Sequence, residues 1–303
     1  MFPIIPANTS ASFPENDEGI FGFGLKAGPS GANDITNLVS NTGVVASDVT
    51  GVGQARIGLS ACEFGGDQGI FGFGGSPYYS MTNKVSNAGV VASDVAGVGT
   101  ARYGLAACAY DDDKGIFGFG YNASPGNQLN LTNLVSDAGV VASDQAATTG
   151  TARSWLAACE YGGDKGIFGF GGPGPVSTTN LVSTAGVIST DVAGVAGASA
   201  RQSLAACSFG GDKGIFTFAY DAGMHVTNIV SNAGVIQDDV AKPAGATERQ
   251  GLAACEFGGD QAIIGFGAPY TGITNLVTNA GVVGDDVAAV GTAREMTAAC
   301  SFN

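Results

Sequence analysis

The sequence predicts an all-β protein, a six-bladed β-propeller with four strands in each blade. The first observation is a repeat: Gly-Ile-Phe-Gly-Phe-Gly or a close variant begins at Gly19, Gly69, Gly115, Gly166, Gly214 and Ala262. The second is that each unit of about 48 residues contains four short β-prone segments separated by polar turns. The third is glycine, 50 of 303 residues, which lets converging strands of neighbouring blades approach closely.

One repeat, residues 59–102, shows how four strands fit into a blade. Residues 59–64 are mostly apolar and precede a Gly-Gly-Asp-Gln turn, which predicts a first strand and a hairpin. Residues 69–74 alternate glycine with large side chains, as expected for the return strand. Residues 81–86 and 89–95 are β-prone and flank an Asn-Ala turn, so they are the predicted third and fourth strands.

The two ends of the sequence predict how the ring of blades closes. Residues 298–302 resemble a first strand with no second strand after it, whereas residues 19–24 resemble a second strand. We therefore expect the C-terminal strand to complete the N-terminal blade, with a propeller at residues 16–303 and an N-terminal arm at residues 1–15. A vestigial first strand at residues 9–13 is the alternative.

The first two strands of each repeat carry a shared pattern. An arginine is followed two or three residues later by Leu-Ala-Ala-Cys or a variant, then by a Gly-Gly turn and a strand ending in Phe-Gly, as in residues 56–75 and 153–172. Over nearly the whole chain this pattern resembles the kelch family, and the resemblance implies a kelch-like propeller. The uniform array also resembles proteins of phages and environmental viruses. Val-Ser-Asn-Ala-Gly-Val stands where kelch blades carry a tyrosine and then a tryptophan, so no kelch-specific partner is implied.

Charge and composition exclude several classes of partner. Twelve Lys and Arg against 26 Asp and Glu give a net charge of −14, which repels nucleic acids and anionic membranes. A single histidine excludes multi-histidine metal sites. No apolar run reaches the ~18 residues of a membrane span, and no basic segment precedes a signal-like apolar region, so we expect neither membrane insertion nor Sec export.

The six cysteines occur once per repeat. Because equivalent positions in a ring of blades are too far apart for disulfides, we expect free, buried thiols that act as small apolar side chains. Unpaired thiols favour assembly in a reducing cytoplasm. The cysteines are Cys62, Cys108, Cys159, Cys207, Cys255 and Cys300.

Each repeat also pairs an arginine before its first strand with an aspartate at the end of its fourth. One interpretation is an internal tie between arginine and aspartate or backbone; the other is a cationic ring at the channel mouth that binds an anion or an acidic sugar. The arginines are Arg56, Arg102, Arg153, Arg201, Arg249 and Arg294. The aspartates are Asp48, Asp94, Asp144, Asp191, Asp239 and Asp286.

No catalytic, metal or cofactor motif stands out from the repeat. The Gly-Gly-Asp-Lys turns supply one carboxylate each, which indicates hairpin turns rather than calcium loops. Residues 111–113, three consecutive aspartates, are a denser cluster that leaves a surface ion open. The single histidine has no second histidine to pair with, and the Gly-x-Gly strings open no helix. We therefore predict a protein that is not an enzyme and binds no cofactor.

The loops between second and third strands vary most among the repeats, and we expect them to share a face with the arginine-bearing return loops. Tyrosines on variable loops of a rigid scaffold suit recognition of a protein or a glycan. The predicted binding residues are Tyr78, Tyr79, Tyr121, Tyr220, His225 and Tyr270, with Arg102, Arg153 and Trp155 near the centre. Residues 1–14 are a candidate docking arm for another protein of an assembly.

These observations predict a non-enzymatic binding or structural module. We favour a virion-associated tail, fibre or capsid-decorating protein that assembles in the host cytoplasm. The alternatives are a cytoplasmic kelch-like adaptor and a carbohydrate-active hydrolase or lyase with its site at the channel mouth.

Overall fold

The chain forms β-strands throughout the part that the structure describes. The structure is a computed structural model and describes residues 17–28, 31–75, 77–122, 126–145, 149–194, 197–219 and 226–302. Within these ranges every regular element is a strand, and the paired strands run antiparallel. The predicted all-β class is confirmed. The predicted arm at residues 1–15 lies outside the described residues.

The described strands form six sheets, one for each repeat, and a separate hairpin. Sheet 1 contains β1 (Glu18–Lys26), β2 (Ala32–Val39), β21 (Arg294–Glu295) and β22 (Ala298–Phe302). Sheet 2 contains β3 (Ser60–Phe64), β4 (Gln68–Gly72) and β5 (Thr82–Val85). Sheet 3 contains β6 (Ala106–Tyr110), β7 (Lys114–Gly118) and β10 (Thr132–Val135), and the hairpin is β8 (Tyr121–Asn122) with β9 (Asn127–Gln128). Sheet 4 contains β11 (Ala157–Tyr161), β12 (Lys165–Gly169) and β13 (Thr179–Val182). Sheet 5 contains β14 (Ala205–Phe209), β15 (Lys213–Thr217), β16 (Val226–Val230) and β17 (Val240–Ala241). Sheet 6 contains β18 (Ala253–Phe257), β19 (Gln261–Gly265) and β20 (Thr274–Val277).

The middle strand of each sheet is buried on both faces, which explains its glycine-rich sequence. In β4, Ile70 and Phe71 point to opposite faces and are fully buried. A Cβ atom on Gly69 would lie 2.5 Å from Cys300 Sγ of sheet 1, and one on Gly72 would lie 2.6 Å from the Phe117 ring of sheet 3. At these glycines there is therefore no room for a side chain between the neighbouring sheets.

The hydrophobic core is divided among the boundaries between sheets. The described residues form six apolar clusters, and each joins two neighbouring sheets, including sheet 6 with sheet 1. The first strands contact one another in cyclic order, β22–β3–β6–β11–β14–β18 and back to β22. Every sheet is thus packed between two others.

The C-terminal strand completes sheet 1, as the sequence predicts. β22 pairs with β1 from Glu18↔Phe302 to Gly22↔Ala298. This is the register that first and second strands adopt in the other sheets, as in the pairing of β3 with β4. The predicted pairing of residues 298–302 beside 19–24 is confirmed.

The predicted fourth strand is only partly correct. In sheet 2 it pairs with β5 at two isolated positions, Val85↔Val91 and Thr82↔Val95. Between these two pairs the chain advances by three residues in β5 but by four residues from Val91 to Val95, so the outer segment contains one extra residue, a β-bulge. The Asn83 amide donates to the Ala92 carbonyl and to Asp94 Oδ1, at 3.0 and 2.9 Å, so a side chain replaces a backbone hydrogen bond there. Sheet 5 retains the segment as β17.

The predicted second strand also ends early in sheets 2 to 6, whereas β1 of sheet 1 continues to Lys26. β4 stops at Gly72, because Phe73 has a φ of 63°, in the left-handed region that is unusual for a bulky residue. The same conformation occurs, with φ between 48° and 65°, at Phe23, Phe73, Phe119, Phe170, Phe218 and Phe266. All six rings are fully buried, so the turn inserts one aromatic ring at each boundary between sheets.

Candidate functional site

Contacts between loops define two opposite faces of the protein. The loop between β4 and β5 meets a return loop, since the Arg102 amide donates to the Tyr79 carbonyl at 3.3 Å. We call this side the loop face. The Gly-Gly-Asp turns contact the turns after the third strands, as where the Asn87 amide donates to Asp67 Oδ2 at 3.3 Å. We call this side the hairpin face. The predicted grouping of the loops is confirmed.

On the loop face the six return loops meet in a closed ring of backbone hydrogen bonds. The N–H of each ring residue donates to the carbonyl of the ring residue of the preceding sheet, at N···O distances of 2.6–3.1 Å. The ring residues are Gly58, Gly104, Trp155, Ser203, Gly251 and Met296. The residues that follow them, such as Leu59 and Leu105, line a central cavity of about 90 Å³. The ring therefore lies across one end of this cavity.

All six ring residues have a left-handed backbone, with φ between 53° and 61°. Glycine adopts this conformation readily, whereas an L side chain makes it less favourable by about 1–2 kcal/mol. Three repeats have glycine here, but the other three have Trp155, Ser203 and Met296. Strained non-glycine residues concentrate at ligand-binding sites, and this marks the ring as a candidate site.

Trp155 belongs to a cluster of four aromatic rings on the loop face. Its ring centroid lies 5.2 Å from that of Tyr103 in an edge-to-face contact. Tyr103 in turn contacts Tyr78 at 5.2 Å and Tyr121 at 5.8 Å. Burial, followed by the proximity of Tyr78 and Tyr121, raises the pKa of Tyr103. All four side chains are partly exposed, so their rings offer apolar surface to a ligand.

A cavity of about 230 Å³ is lined in part by Trp155. Its lining combines ring residues with polar side chains of the return loops: Trp155, Gln202, Ser203, Gln250, Gly251, Ala268, Glu295 and Met296. Burial raises the pKa of Glu295. The combination of an aromatic wall with amide and carboxyl groups is typical of small-molecule binding sites.

The six arginines are buried between the sheets. Arg102 is the clearest example: it donates from Nη2 to Asn133 Oδ1 at 2.7 Å, from Nε to the Phe119 carbonyl at 2.7 Å and from Nη1 to the Thr100 carbonyl at 3.1 Å. Its guanidinium carbon lies 4.2 Å from the centroid of the Phe73 ring of the preceding sheet. Equivalent arginine–phenylalanine contacts occur at all six boundaries.

The predicted aspartates are the counter-charges of these arginines. Arg102 Nη1 lies 3.9 Å from Asp144 Oδ1, and four further pairs have N···O distances of 3.5–3.9 Å. The sixth aspartate, Asp48, acts electrostatically on Arg294. Burial lowers the pKa of Arg102 to about 10, against the opposing effect of Asp144. The guanidinium groups are thus still charged at neutral pH, and their contacts are with other groups of the protein.

This burial corrects part of the predicted recognition face. Arg102 is 0% exposed and Arg153 is 2% exposed, so neither side chain is positioned to orient an acidic group of a ligand. The contacts correspond to the internal tie and not to a cationic ring at the mouth. The reason is that each guanidinium is enclosed between the phenylalanine of one sheet and the polar groups of the next.

The structure brings together only some of the other predicted residues. Tyr78, Tyr121 and Trp155 belong to the aromatic cluster. Tyr79 and Tyr270 make no ring contact with other described aromatic residues, although Tyr270 is 40% exposed. Tyr220 and His225 lie outside the described residues. Tyr103 was not predicted, although its position in the return loop differs from repeat to repeat, which is the signal that could have identified it.

At the hairpin-face end, the first strands line a second central cavity of about 40 Å³. Its lining includes the six buried free cysteines, as predicted, and burial raises the pKa of their thiols. Glu63, Glu160 and Glu256 come from alternate sheets and also line this cavity. The pKa of Glu160 is raised well above its usual value. Burial has the largest effect, and the negative charges of Glu63 and Glu256, and then of Asp112 and Asp164, add to it.

The aspartate-rich turns are occupied by contacts within the protein. Lys114 Nζ lies 2.6 Å from Asp111 Oδ2 and 3.2 Å from Asp113 Oδ1, so two of the three carboxylates of the densest cluster share one lysine ammonium. The Gly65 amide donates to the Asp113 carbonyl of the next sheet at 2.7 Å. Among the described residues, no group of three or more His, Cys, Asp or Glu side chains is arranged to hold a metal ion.

No protein-family model matches the chain. A search of curated proteins also found no significant match. None of the described residues belongs to a helix with the length and apolarity of a membrane span.

Proposed function

We propose that the six sheets are the blades of a six-bladed, kelch-like β-propeller. Three features support this architecture: the cyclic contacts of the first strands, the apolar cluster at every boundary between sheets and the pairing of β22 with β1. An experimental structure with five or seven blades, or with residues 298–302 detached from β1, would refute it.

We further propose that the protein is a non-enzymatic binding module whose binding surface is the aromatic cluster and the ring on the loop face. The observation that carries this proposal is Trp155. It has a left-handed backbone at a position where three repeats have glycine, so the scaffold does not require its side chain. The neighbouring tyrosine rings extend the same surface, and rings beside amides favour non-covalent recognition.

A virion-associated role remains a prediction that rests on the sequence resemblance. Mass spectrometry of purified particles tests it, because a tail, fibre or decorating protein is retained through purification. Recovery of the chain only from the cytoplasmic fraction would favour the adaptor alternative.

The binding surface is tested by cross-linking the protein to its native assembly and mapping the linked lysines. We expect links from Lys26, whose backbone pairs with Arg294 beside Glu295. Links confined to Lys114, Lys165 and Lys213, which follow the turns between first and second strands, would place the interface on the hairpin face and refute the proposal.

The partner identified in this way is then titrated with tyrosine variants. Y78A/Y121A removes two rings of the aromatic cluster, and we expect it to weaken binding at least about tenfold, or ~1.4 kcal/mol. Y270A is the matched control, because Tyr270 is an exposed loop tyrosine outside the cluster. The thermal midpoint of the double variant should stay close to that of the wild type. Equal binding by the double variant and the control would contradict the proposed surface.

A further inference from the structure

We infer that the cavity beside Trp155 binds the terminal ring of an uncharged saccharide. This inference rests on the proposed function, since it names the ligand class of the same loop-face site. It depends on the size of the cavity, on its polar side chains and on its charge.

The size of the cavity fits one ring rather than a whole ligand. Its volume of about 230 Å³ is below the ~300–1,000 Å³ that encloses a drug-sized molecule. Trp155 forms one wall, and the backbone of Ser203 and Gly251 contributes ring positions beside it. Tyr103 does not line the cavity but contacts Trp155, at 5.2 Å between centroids.

The polar side chains in the lining match the hydrogen-bonding capacity of hydroxyl groups. Gln202, Gln250 and Glu295 all border the cavity. Within the described part of the chain, no hydrogen bond uses the side chains of these three residues. A primary amide both donates and accepts, and a carboxylate accepts. A sugar hydroxyl also does both, so the three groups together suit adjacent hydroxyls on one ring.

The charge of the site selects against acidic sugars. Glu295 is the charged side chain of the lining, and the nearest repeat arginine, Arg294, is fully buried and bonded to the Asn37 side chain and the Phe23 carbonyl. The whole chain carries a net charge of −14. A uronic or sialic acid would therefore bring a carboxylate towards like charge in a partly desolvated site, which is unfavourable.

The experiment uses the intrinsic fluorescence of the full-length protein, because Trp155 is its only tryptophan. The probes are the methyl glycosides of glucose, galactose, mannose, N-acetylglucosamine, glucuronic acid and galacturonic acid. Glucose and glucuronic acid form a pair that differs only at C6. We expect a saturable change in Trp155 emission with at least one neutral glycoside, and at least about tenfold weaker binding of its uronic acid.

Two variants separate recognition from folding. Q202A/Q250A removes the amides and should weaken glycoside binding at least about tenfold. Gln237→Ala removes an exposed glutamine side chain that does not line the cavity, and it should leave binding unchanged. Correct folding of both is checked by the thermal midpoint and by circular dichroism.

The saccharide inference is overturned if no probe produces a saturable change, if the uronic acid binds as tightly as the neutral glycoside, or if Q202A/Q250A binds like the wild type. If the native partner still depends on Tyr78 and Tyr121 in any of these cases, the loop-face site stands and only its ligand class is wrong. If neither the tyrosine variants nor the sugars have any effect, the proposed function fails as well.

Discussion

Two arginines in equivalent positions provide a test of what stabilises the boundaries between sheets. Arg102 uses three nitrogen atoms in hydrogen bonds, to Phe119, Thr100 and Asn133. Arg201 is as deeply buried, but its hydrogen bond to the Ser199 carbonyl is 3.4 Å long. Its Nε and Nη2 have no hydrogen-bond partner among the described residues. The two variants Arg102→Met and Arg201→Met therefore remove the same side chain from two differently satisfied environments. Methionine retains the length and much of the volume of the arginine stem.

The expected magnitudes follow from these contacts. R102M leaves the Phe119 carbonyl, the Thr100 carbonyl and Asn133 Oδ1 without the donor that they have in the wild type. Each such loss at a buried group costs about 1–3 kcal/mol, and we expect a total destabilisation of about 3–5 kcal/mol. Each buried donor without a partner already costs about 1–3 kcal/mol, and R201M removes two of them. Its loss should therefore be at least about 2 kcal/mol smaller. Both arginines stack on a phenylalanine, at 4.2 and 4.1 Å, so the stacking contribution is matched.

The assay is equilibrium unfolding in urea together with the thermal midpoint. For a chain of this length, 1 kcal/mol corresponds to about 2 °C, so R102M should lower the midpoint by roughly 6–10 °C and R201M by clearly less. Equal losses, or a larger loss for R201M, would refute the reasoning, because the number of satisfied N–H groups would not decide the stability.

Two further predictions concern the central cavity at the hairpin-face end and the boundary between sheets 1 and 2. Because burial, with Glu63 and Glu256, raises the pKa of Glu160, the folded state holds this proton more tightly than the unfolded state, and the associated stability is lost as the pH rises through the raised pKa. Glu160→Gln should therefore raise the thermal midpoint at pH 8 but hardly at pH 4, and a lower midpoint at pH 8 would contradict this electrostatic account. Gly69→Ala should destabilise by about 1–3 kcal/mol, because the new Cβ would lie 2.5 Å from Cys300 Sγ. The double variant with Cys300→Ala should be more stable than the sum of the single effects, and strict additivity in urea unfolding would show that the two atoms do not compete for space.

The repeat period predicts the six sheets well, because each repeat must contribute the same strands to the same core. It also predicts the joining of the two ends, since residues 298–302 match the first strand of every other repeat. The fourth strand is less predictable. Its pairing is interrupted by the side chain of Asn83, which bonds to Ala92 and Asp94, and a β-prone sequence gives no sign of a bulge.

The candidate site is only half predictable. Variable loops identify Tyr78 and Tyr121 as candidates, and the unique tryptophan is conspicuous in any alignment of the repeats. The burial of Arg102 is not visible in the sequence, because the groups that enclose it, Phe73 and Asn133, lie far from it along the chain. The backbone ring is also invisible, since it is made of main-chain atoms and only Gly58 and its glycine equivalents suggest a left-handed position.

The ring of backbone hydrogen bonds on the loop face is held together by contacts that do not involve the side chains of the ring residues. Its bonds use N–H and carbonyl groups alone, so closure does not depend on which side chain each repeat carries. The side chain of a ring residue can therefore change without breaking the ring, at the modest energetic cost of a left-handed side chain. Gly251 is the ring glycine with room for a new side chain, because a Cβ atom there would contact only Met296, at 3.4 Å or more. Gly58 and Gly104 are already covered by the rings of Tyr103 and Trp155, which a Cβ atom would meet at 3.1 and 3.2 Å.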